Sequence, residues 1–236
     1  MKNYKKKTSH CKDAWFEKET DLINCLFDHI KYIAGNEGRC YIKREVPVGS
    51  TIPDIVIVKI TELPRIDLWP SRWSYIHAAL VWQLRRRDKL SIKALARRVF
   101  ESPERMEPYL KQLNNSGTIV KTKSGCYRLG GELRALSATI ISIEAKLERW
   151  KEAHAQAISY STFSNKSIVA MAPHGIPETK EAKNIFRKSG IGLISFNGGL
   201  PKTLFSGRKN TKNSCDREYL IGSALGKLGQ TRWSVL

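Results

Sequence analysis

The chain has 236 residues, and 41 Lys and Arg against 22 Asp and Glu give it a formal net charge of +19. A surplus of this size indicates a polyanionic partner, with nucleic acid as the first candidate, and no apolar run is long enough to cross a membrane. Five scattered cysteines without CxxC spacing argue against a zinc site and a disulfide framework. The basic N-terminal residues lead into no apolar segment, unlike a secretory signal, so we expect a cytoplasmic protein.

The first predicted element is a helix over residues 14–32, in which apolar residues recur at helical spacing. Glu19 falls on that apolar stripe. A carboxylate on the buried side of a helix needs a partner, and a metal ion is one candidate. The ordinary alternative is a glutamate at the edge of the stripe or one bonded to a lysine. Strands follow over 40–46 and 54–60, and the second is apolar on both faces, which is typical of a sheet covered on both sides.

The pattern changes between residues 63 and 131, where three helical stripes precede a short hairpin. Ser91 and Ser102 are suited to cap the second and third helices. Pro108 is expected to shorten or kink the third helix, because proline removes a helix hydrogen bond. Three helices followed by a hairpin are the layout of a winged helix-turn-helix.

This segment is also strongly basic. Residues 71–130 carry thirteen Lys or Arg against four acids. In a winged helix, phosphate contacts fall on the second and third helices and on the wing. The predicted nucleic-acid-binding residues are Arg85, Arg86, Arg87, Lys93, Arg97, Arg98, Arg105, Lys111, Lys121 and Lys123. The alternative is a winged helix used for protein contacts, with its basic residues only solvating it.

The mixed pattern resumes at Ala138. The predicted elements are a strand ending in Glu144-Ala145-Lys146, a helix over 150–163, a strand over 167–172, a helix over 177–189 and a strand over 191–196. This alternation favours α/β packing with parallel strand pairs.

The predicted organisation is therefore a discontinuous α/β core over residues 14–62 and 138–197, with an inserted domain over 63–131. Residues 198–236 are rich in Gly, Lys, Asn and Ser. They are predicted to form a mobile basic tail with a short helix near 216–227.

Acidic and basic residues stand at the ends of two predicted core strands. Asp54 stands at the start of the strand over 54–60, while Glu144 and Lys146 point the same way because strand side chains alternate. If Asp54 lies beside them, the three groups would form a metal-plus-base site for phosphodiester hydrolysis. The alternatives are a turn cap for Asp54 and a simple ion pair for the other two. The five histidines lack metal-ligand spacing, although His154 falls near the expected site.

Three motifs follow one another along the chain: Pro53-Asp54, then Glu144-Ala145-Lys146, then Gln156 and Tyr160 one turn apart on a helix. This combination resembles the PD-(D/E)xK nuclease superfamily, with the Gln-x-x-x-Tyr motif of its RecB- and Cas4-like branch. The resemblance covers both parts of the core. It implies a restriction-endonuclease-like mixed sheet flanked by helices, with the winged helix inserted between the two motif strands.

The resemblance also implies roles for the residues. Asp54, Glu144 and Glu19 would hold Mg²⁺, with Mn²⁺ able to substitute, and Lys146 would orient or deprotonate the attacking water. Gln156 and Tyr160 would steady the site or contact DNA.

The implied function is a Mg²⁺-dependent DNA endonuclease whose inserted winged helix binds duplex DNA. The alternatives are a non-cleaving DNA-binding protein and a DNA-processing subunit of a mobile-element or defence assembly. A homodimer stays open, and so does Glu45 as a rival metal ligand.

Overall fold

The computed structural model describes residues 16–62, 69–70, 72–177, 179–197, 199–211, 213–226 and 233–236. It shows an α/β protein with a mixed seven-stranded sheet flanked by helices, as the sequence predicts. None of the described helices has the length and apolar character needed to cross a membrane.

Seven strands form the large sheet. They are β1 (Arg39–Arg44), β2 (Ile55–Ile60), β5 (Ala138–Lys146), β6 (Lys166–Met171), β7 (Gly192–Asn197), β8 (Leu200–Phe205) and β9 (Ser234–Val235), in the order β8-β7-β6-β5-β2-β1-β9. The pairs β5/β6 and β6/β7 are parallel, whereas β7/β8 and β1/β9 are antiparallel. A separate antiparallel pair is formed by β3 (Ile119–Lys121) and β4 (Tyr127–Leu129).

The helices are α1 (Glu19–Asp28), α2 (Ile30–Ala34), α3 (Tyr75–Arg86), α4 (Ile92–Val99), α5 (Pro103–Asn115), α6 (Gly131–Ala135), α7 (Trp150–Tyr160), α8 (Lys180–Ser189) and α9 (Cys215–Leu225). The predicted single helix over 14–32 is therefore wrong in part, because His29 separates α1 from α2. Residues 14 and 15 lie outside the described part.

The chain divides into two compact units. The first contains the described residues up to Glu37, those of 44–57 and those of 141–211; the second contains those of 38–43, 58–140 and 212–236. The segment predicted as an insert falls in the second unit, together with the C-terminal segment.

In the first unit, α7 and α8 cover strands β6 and β7. Ala153 and Ala157 of α7 pack with Phe186 of α8 over Val169 and Leu193 of the strands, and all of them are buried. The two small alanines allow α7 to lie close to the sheet. This packing sets the distance between α7 and the sheet. It thereby positions Tyr160, the last residue of α7, beside Glu144 of β5.

In the second unit, α3, α4 and α5 precede the β3–β4 hairpin. Ser91 and Ser102 accept hydrogen bonds from Ala94 N and Arg105 N, both at 3.3 Å, which are the predicted caps. The predicted shortening at Pro108 is wrong, because α5 runs through this residue to Asn115. Pro108 and Glu104 are both exposed, so water can replace the hydrogen bond that proline removes.

The predicted mobile tail over 198–236 is also wrong where the structure describes it. Leu200–Phe205 is a sheet strand, and α9 buries Leu220, Ile221 and Ala224. The short helix predicted near 216–227 is confirmed as α9. This apolar stripe stands among Gly, Ser and Lys residues, whose composition favoured disorder. Lys212, Lys227 and Arg232 of the predicted tail lie outside the described residues.

Candidate active site

The Pro-Asp motif at the start of β2 contacts the Glu-x-Lys motif at the end of β5. Asp54 immediately precedes β2, and its Oδ2 accepts a hydrogen bond of 2.7 Å from the backbone N–H of Ala145. Ala145 lies between Glu144 and Lys146 near the end of β5. The structure thus brings together residues separated by ninety positions in the chain.

Glu144 is the most deeply placed of these acids. It is only 2 % exposed, and its two carboxylate oxygens have different partners. The Tyr160 hydroxyl donates a hydrogen bond of 2.6 Å to Oε2, while Lys146 Nζ lies 3.4 Å from Oε1. A buried carboxylate requires this kind of pairing, since an unpaired buried charge is strongly destabilising.

Lys146 connects Glu144 to a second glutamate. Its Nζ lies 3.2 Å from Oε2 of Glu19, and its side chain is 13 % exposed. Glu19 is the first residue of α1, where the helix dipole favours a negative charge. Of the partners expected for Glu19, the one in the structure is therefore a lysine.

Burial and crowding raise the pKa of both central acids. For Asp54, burial raises the pKa most, and the charges of Glu19 and Glu45 add to it against the opposing effects of the Ala145 N–H and Lys146. For Glu144, burial again acts most strongly, and the charge of Asp54 also raises the pKa. Both acids would gain from a further positive charge beside them.

The pKa values of Lys146 and Tyr160 are raised too, and this keeps both groups protonated. Burial alone would lower the pKa of Lys146, but the charges of Glu144, Glu19 and Asp54 outweigh it and the pKa is raised. Burial and the bond to Glu144 raise the pKa of the Tyr160 hydroxyl. Near neutral pH, Lys146 is therefore an ammonium group and Tyr160 remains a proton donor in its hydrogen bond.

The donor chemistry of this site suits a hard divalent cation. Asp54 and Glu144 supply carboxylate oxygens, and Mg²⁺ in proteins commonly takes one or two carboxylates together with several waters. Within the described residues, no group of three or more His, Cys, Asp or Glu side chains is placed to hold a metal ion. The two carboxylates of Asp54 and Glu144 are enough to bind Mg²⁺ in this way. Glu19, predicted as a third ligand, makes an ion pair with Lys146 instead.

The predicted Gln-x-x-x-Tyr pair lies on α7. Tyr160 reaches the site through Glu144, and Gln156 lies one turn earlier. The side-chain oxygen of Gln156 is buried and accepts no hydrogen bond from the described residues. An unsatisfied buried acceptor is uncommon, and it leaves Gln156 with an oxygen available for a ligand.

His154 faces away from the carboxylates. Its Nε2 lies 2.8 Å from the Ser189 hydroxyl, and its ring packs edge-on against Phe186. The histidine near the expected site therefore joins α7 to α8 and takes no part in the acid–lysine cluster.

Glu45, the alternative metal ligand, is joined to Asp54 by a backbone hydrogen bond. Its N–H donates a hydrogen bond of 3.1 Å to the Asp54 carbonyl, and its φ of 49° is left-handed. Its side chain is exposed. No feature of the sequence around Glu45 indicates this turn, which places a second acid near Asp54.

In the second unit, most of the predicted DNA-binding cations are exposed. They are Arg86, Arg87, Lys93, Arg97, Arg98, Arg105, Lys111, Lys121 and Lys123. Arg105 makes an ion pair with Glu101 on the surface. Arg85 differs from them, because its Nε lies 2.5 Å from the buried carboxylate of Glu218. Arg85 therefore pairs with an acid of α9 inside the unit, and its contact with DNA stays a prediction.

Sequence reasoning missed Phe100, which follows α4. Its side chain is 95 % exposed and its φ is 59°, in the left-handed region. A glycine or asparagine usually occupies such a position, because a side chain there costs about 1–2 kcal/mol. No burial of the ring offsets this cost, so Phe100 is a candidate for contact with a partner.

The chain matches no family model, no curated protein and no solved structure. The resemblance to PD-(D/E)xK nucleases therefore rests on the three motifs and on the contacts among Asp54, Glu144, Lys146 and Tyr160.

Proposed function

We propose that the first unit is the catalytic part of a Mg²⁺-dependent DNA endonuclease with a restriction-endonuclease-like fold. The observation that carries this proposal is the bond from Asp54 to the backbone between Glu144 and Lys146. It joins the Pro-Asp and Glu-x-Lys motifs in one charged cluster on the ends of two strands. A capping role for Asp54 alone would give no reason for the buried glutamate and lysine beside it.

The side chains divide the work of hydrolysis. Asp54 and Glu144 would hold Mg²⁺, or Mn²⁺ in its place, and the bound ion would supply a Lewis acid and a more acidic water. Tyr160 fixes the orientation of Glu144. Lys146 is held by Glu19, and its raised pKa suits it to offset phosphate charge more than to remove a proton from water.

The second unit would bind duplex DNA as a winged helix. Its support is the order α3, α4, α5 and the β3–β4 hairpin, together with exposed cations on α4, on α5 and at the hairpin. Lys93, Arg97 and Arg98 of α4 are suited to contact phosphates. The proposed enzyme acts in the cytoplasm.

One observation favours a non-cleaving DNA-binding protein as the second candidate. Lys146 already lies within 3.4 Å of Glu144 and within 3.2 Å of Glu19, so both acids have a cationic partner without a metal. A protein that uses this fold only as a platform would need such an internal ion pair.

Incubation with supercoiled plasmid separates these candidates. Wild-type protein and Glu144→Gln would be compared at low salt, with Mg²⁺ and with EDTA, and binding would be followed by gel shift. We expect nicked or linear DNA only from the wild type with Mg²⁺, at a rate at least about a hundredfold above the variant. Equal retardation without cleavage by both proteins would favour the non-cleaving protein.

A further inference from the structure

The first unit contains a cavity outside the acid–lysine cluster. It has a volume of about 490 Å³ and is lined by residues of α8, β7, β8 and the turn after β6. This volume lies in the range of small-molecule sites. The residues predicted from the sequence to carry chemistry do not include any of its lining residues.

Strand register relates this cavity to the catalytic lysine. Lys146 pairs with Met171, Met171 with Ser195, and Ser195 with Lys202. Residues paired in this way share one face of a sheet, and strands are spaced about 4.8 Å apart. Ser195, which lines the cavity, is therefore on the face of Lys146 and about 10 Å from it.

The turn after β6 holds one rim of the cavity against the strand of the catalytic lysine. Gly175 ends a 3-10 turn that begins at Pro173, a lining residue. A Cβ atom on Gly175 would overlap the carbonyl of Leu147, which directly follows Lys146. This close approach requires glycine, and it fixes the position of the rim relative to the active site.

The cavity combines cations with a half-buried aromatic side chain. Lys183 and Arg187, one turn apart on α8, and Lys202 on β8 supply the cations, and no Asp or Glu occurs among its lining residues, all of which are described. Phe205 of β8 is half-buried, lines the cavity and pairs with Leu193, so its ring lies on the same face as Ser195 and supplies aromatic surface. A cavity with several cations, an accessible aromatic ring and no acid fits a ligand that is planar and anionic.

We propose that this cavity binds an unpaired nucleotide of the DNA strand beside the cleavage position. Base stacking on aromatic side chains and phosphate contacts with cations are the usual means of binding single strands. The inference rests on the proposed nuclease function, because it assumes that DNA is the substrate. It assigns the substrate class: DNA with an overhang, flap or other unpaired segment, in preference to fully paired duplex.

The test measures binding by the full chain in EDTA, so that no cleavage is needed. Fluorescence anisotropy would compare a blunt duplex with the same duplex carrying a short thymidine overhang. We expect the wild type to prefer the overhang by about tenfold. Lys183→Glu/Lys202→Glu should lose this preference and keep the affinity for blunt duplex.

The matched control is Lys180→Glu/Lys209→Glu. These two lysines are exposed in the same unit and do not line the cavity, so this variant should keep the overhang preference. Melting temperatures of all three proteins should agree, because every substituted lysine is exposed.

Three results would overturn the inference. They are equal affinity of the wild type for both duplexes, equal loss of preference in the control variant, and binding of ATP, added as a second probe, that Lys183→Glu/Lys202→Glu abolishes in a protein without any overhang preference. The last would assign the cavity to a free nucleotide. Because binding is read in EDTA, an active nuclease can fail this test and an inactive protein can pass it.

Discussion

The acid–lysine cluster of the first unit and the α4–α5 surface of the second use charge in opposite ways. In the first, acids and a lysine are buried and bonded to each other, as in the contacts of Glu144 with Tyr160 and Lys146. In the second, the cations of α4 and α5 stand on the surface. Buried charges are shielded from salt and act on bound groups at short range, whereas exposed cations attract a polyanion at a strength that falls with salt. Variants should therefore separate chemistry from affinity.

The largest expected effect is that of Lys146→Met on cleavage. The substitution removes the ammonium that would offset phosphate charge, so the Mg²⁺-dependent nicking rate should fall by about 10²–10³. Gel shift should show unchanged DNA binding. Lys151→Met, at an exposed position of α7, is the control, and it should nick plasmid at the wild-type rate.

Next in size is the loss of DNA affinity when the α4 cations are removed. Lys93→Gln/Arg97→Gln/Arg98→Gln should weaken duplex binding by about 10–100-fold at low salt. The slope of affinity against salt concentration should also become shallower by about one for each phosphate that the variant no longer neutralises. A wild-type salt slope in this variant would show that α4 does not bind DNA.

For Phe100→Gly we expect a smaller loss of duplex affinity, together with a gain in stability. Glycine relieves the left-handed strain, and no buried area is lost because the ring is exposed. The melting temperature should rise by about 2–4 °C. Duplex affinity should fall several-fold if the ring contacts bases. Unchanged affinity would leave the exposed ring to a protein partner.

The smallest expected effect is on stability, from Asp54→Asn in EDTA. Folding raises the pKa of Asp54, so the ionised carboxylate destabilises the folded state as pH rises through that pKa. Asparagine keeps the acceptor for Ala145 N–H and removes the charge. Its melting temperature should exceed that of the wild type by about 2–4 °C at pH 7, and the difference should shrink toward pH 4. A constant difference across this range would contradict the raised pKa.

The sequence predicts the acid–lysine cluster well because its residues belong to regular elements. Strand alternation puts Glu144 and Lys146 on one face, and the helical interval relates Gln156 to Tyr160. The partner of Glu19 could not be chosen from the sequence, since a metal and a lysine satisfy a carboxylate equally well. Its contact with Lys146 depends on where α1 begins relative to β5.

Contacts between distant segments are not predictable where no motif relates the two residues. The basic character of its segment predicts a DNA contact for Arg85, and nothing in the sequence indicates its pairing with Glu218, 133 positions away. In the C-terminal segment the composition predicts the short helix that is α9, but it gives no indication that this helix is packed by a buried apolar stripe or that Leu200–Phe205 is a strand. Phe100 gives no signal in a hydrophobic pattern, because its importance lies in a backbone angle.

The most direct test of the metal site compares two neighbouring acids. Asp54→Asn and Glu45→Gln each remove one negative charge, but only Asp54 accepts the Ala145 N–H with its side chain. Mg²⁺-dependent plasmid nicking should fall by at least about a hundredfold in Asp54→Asn and stay near the wild-type rate in Glu45→Gln. Full activity in Asp54→Asn would contradict the proposed nuclease site.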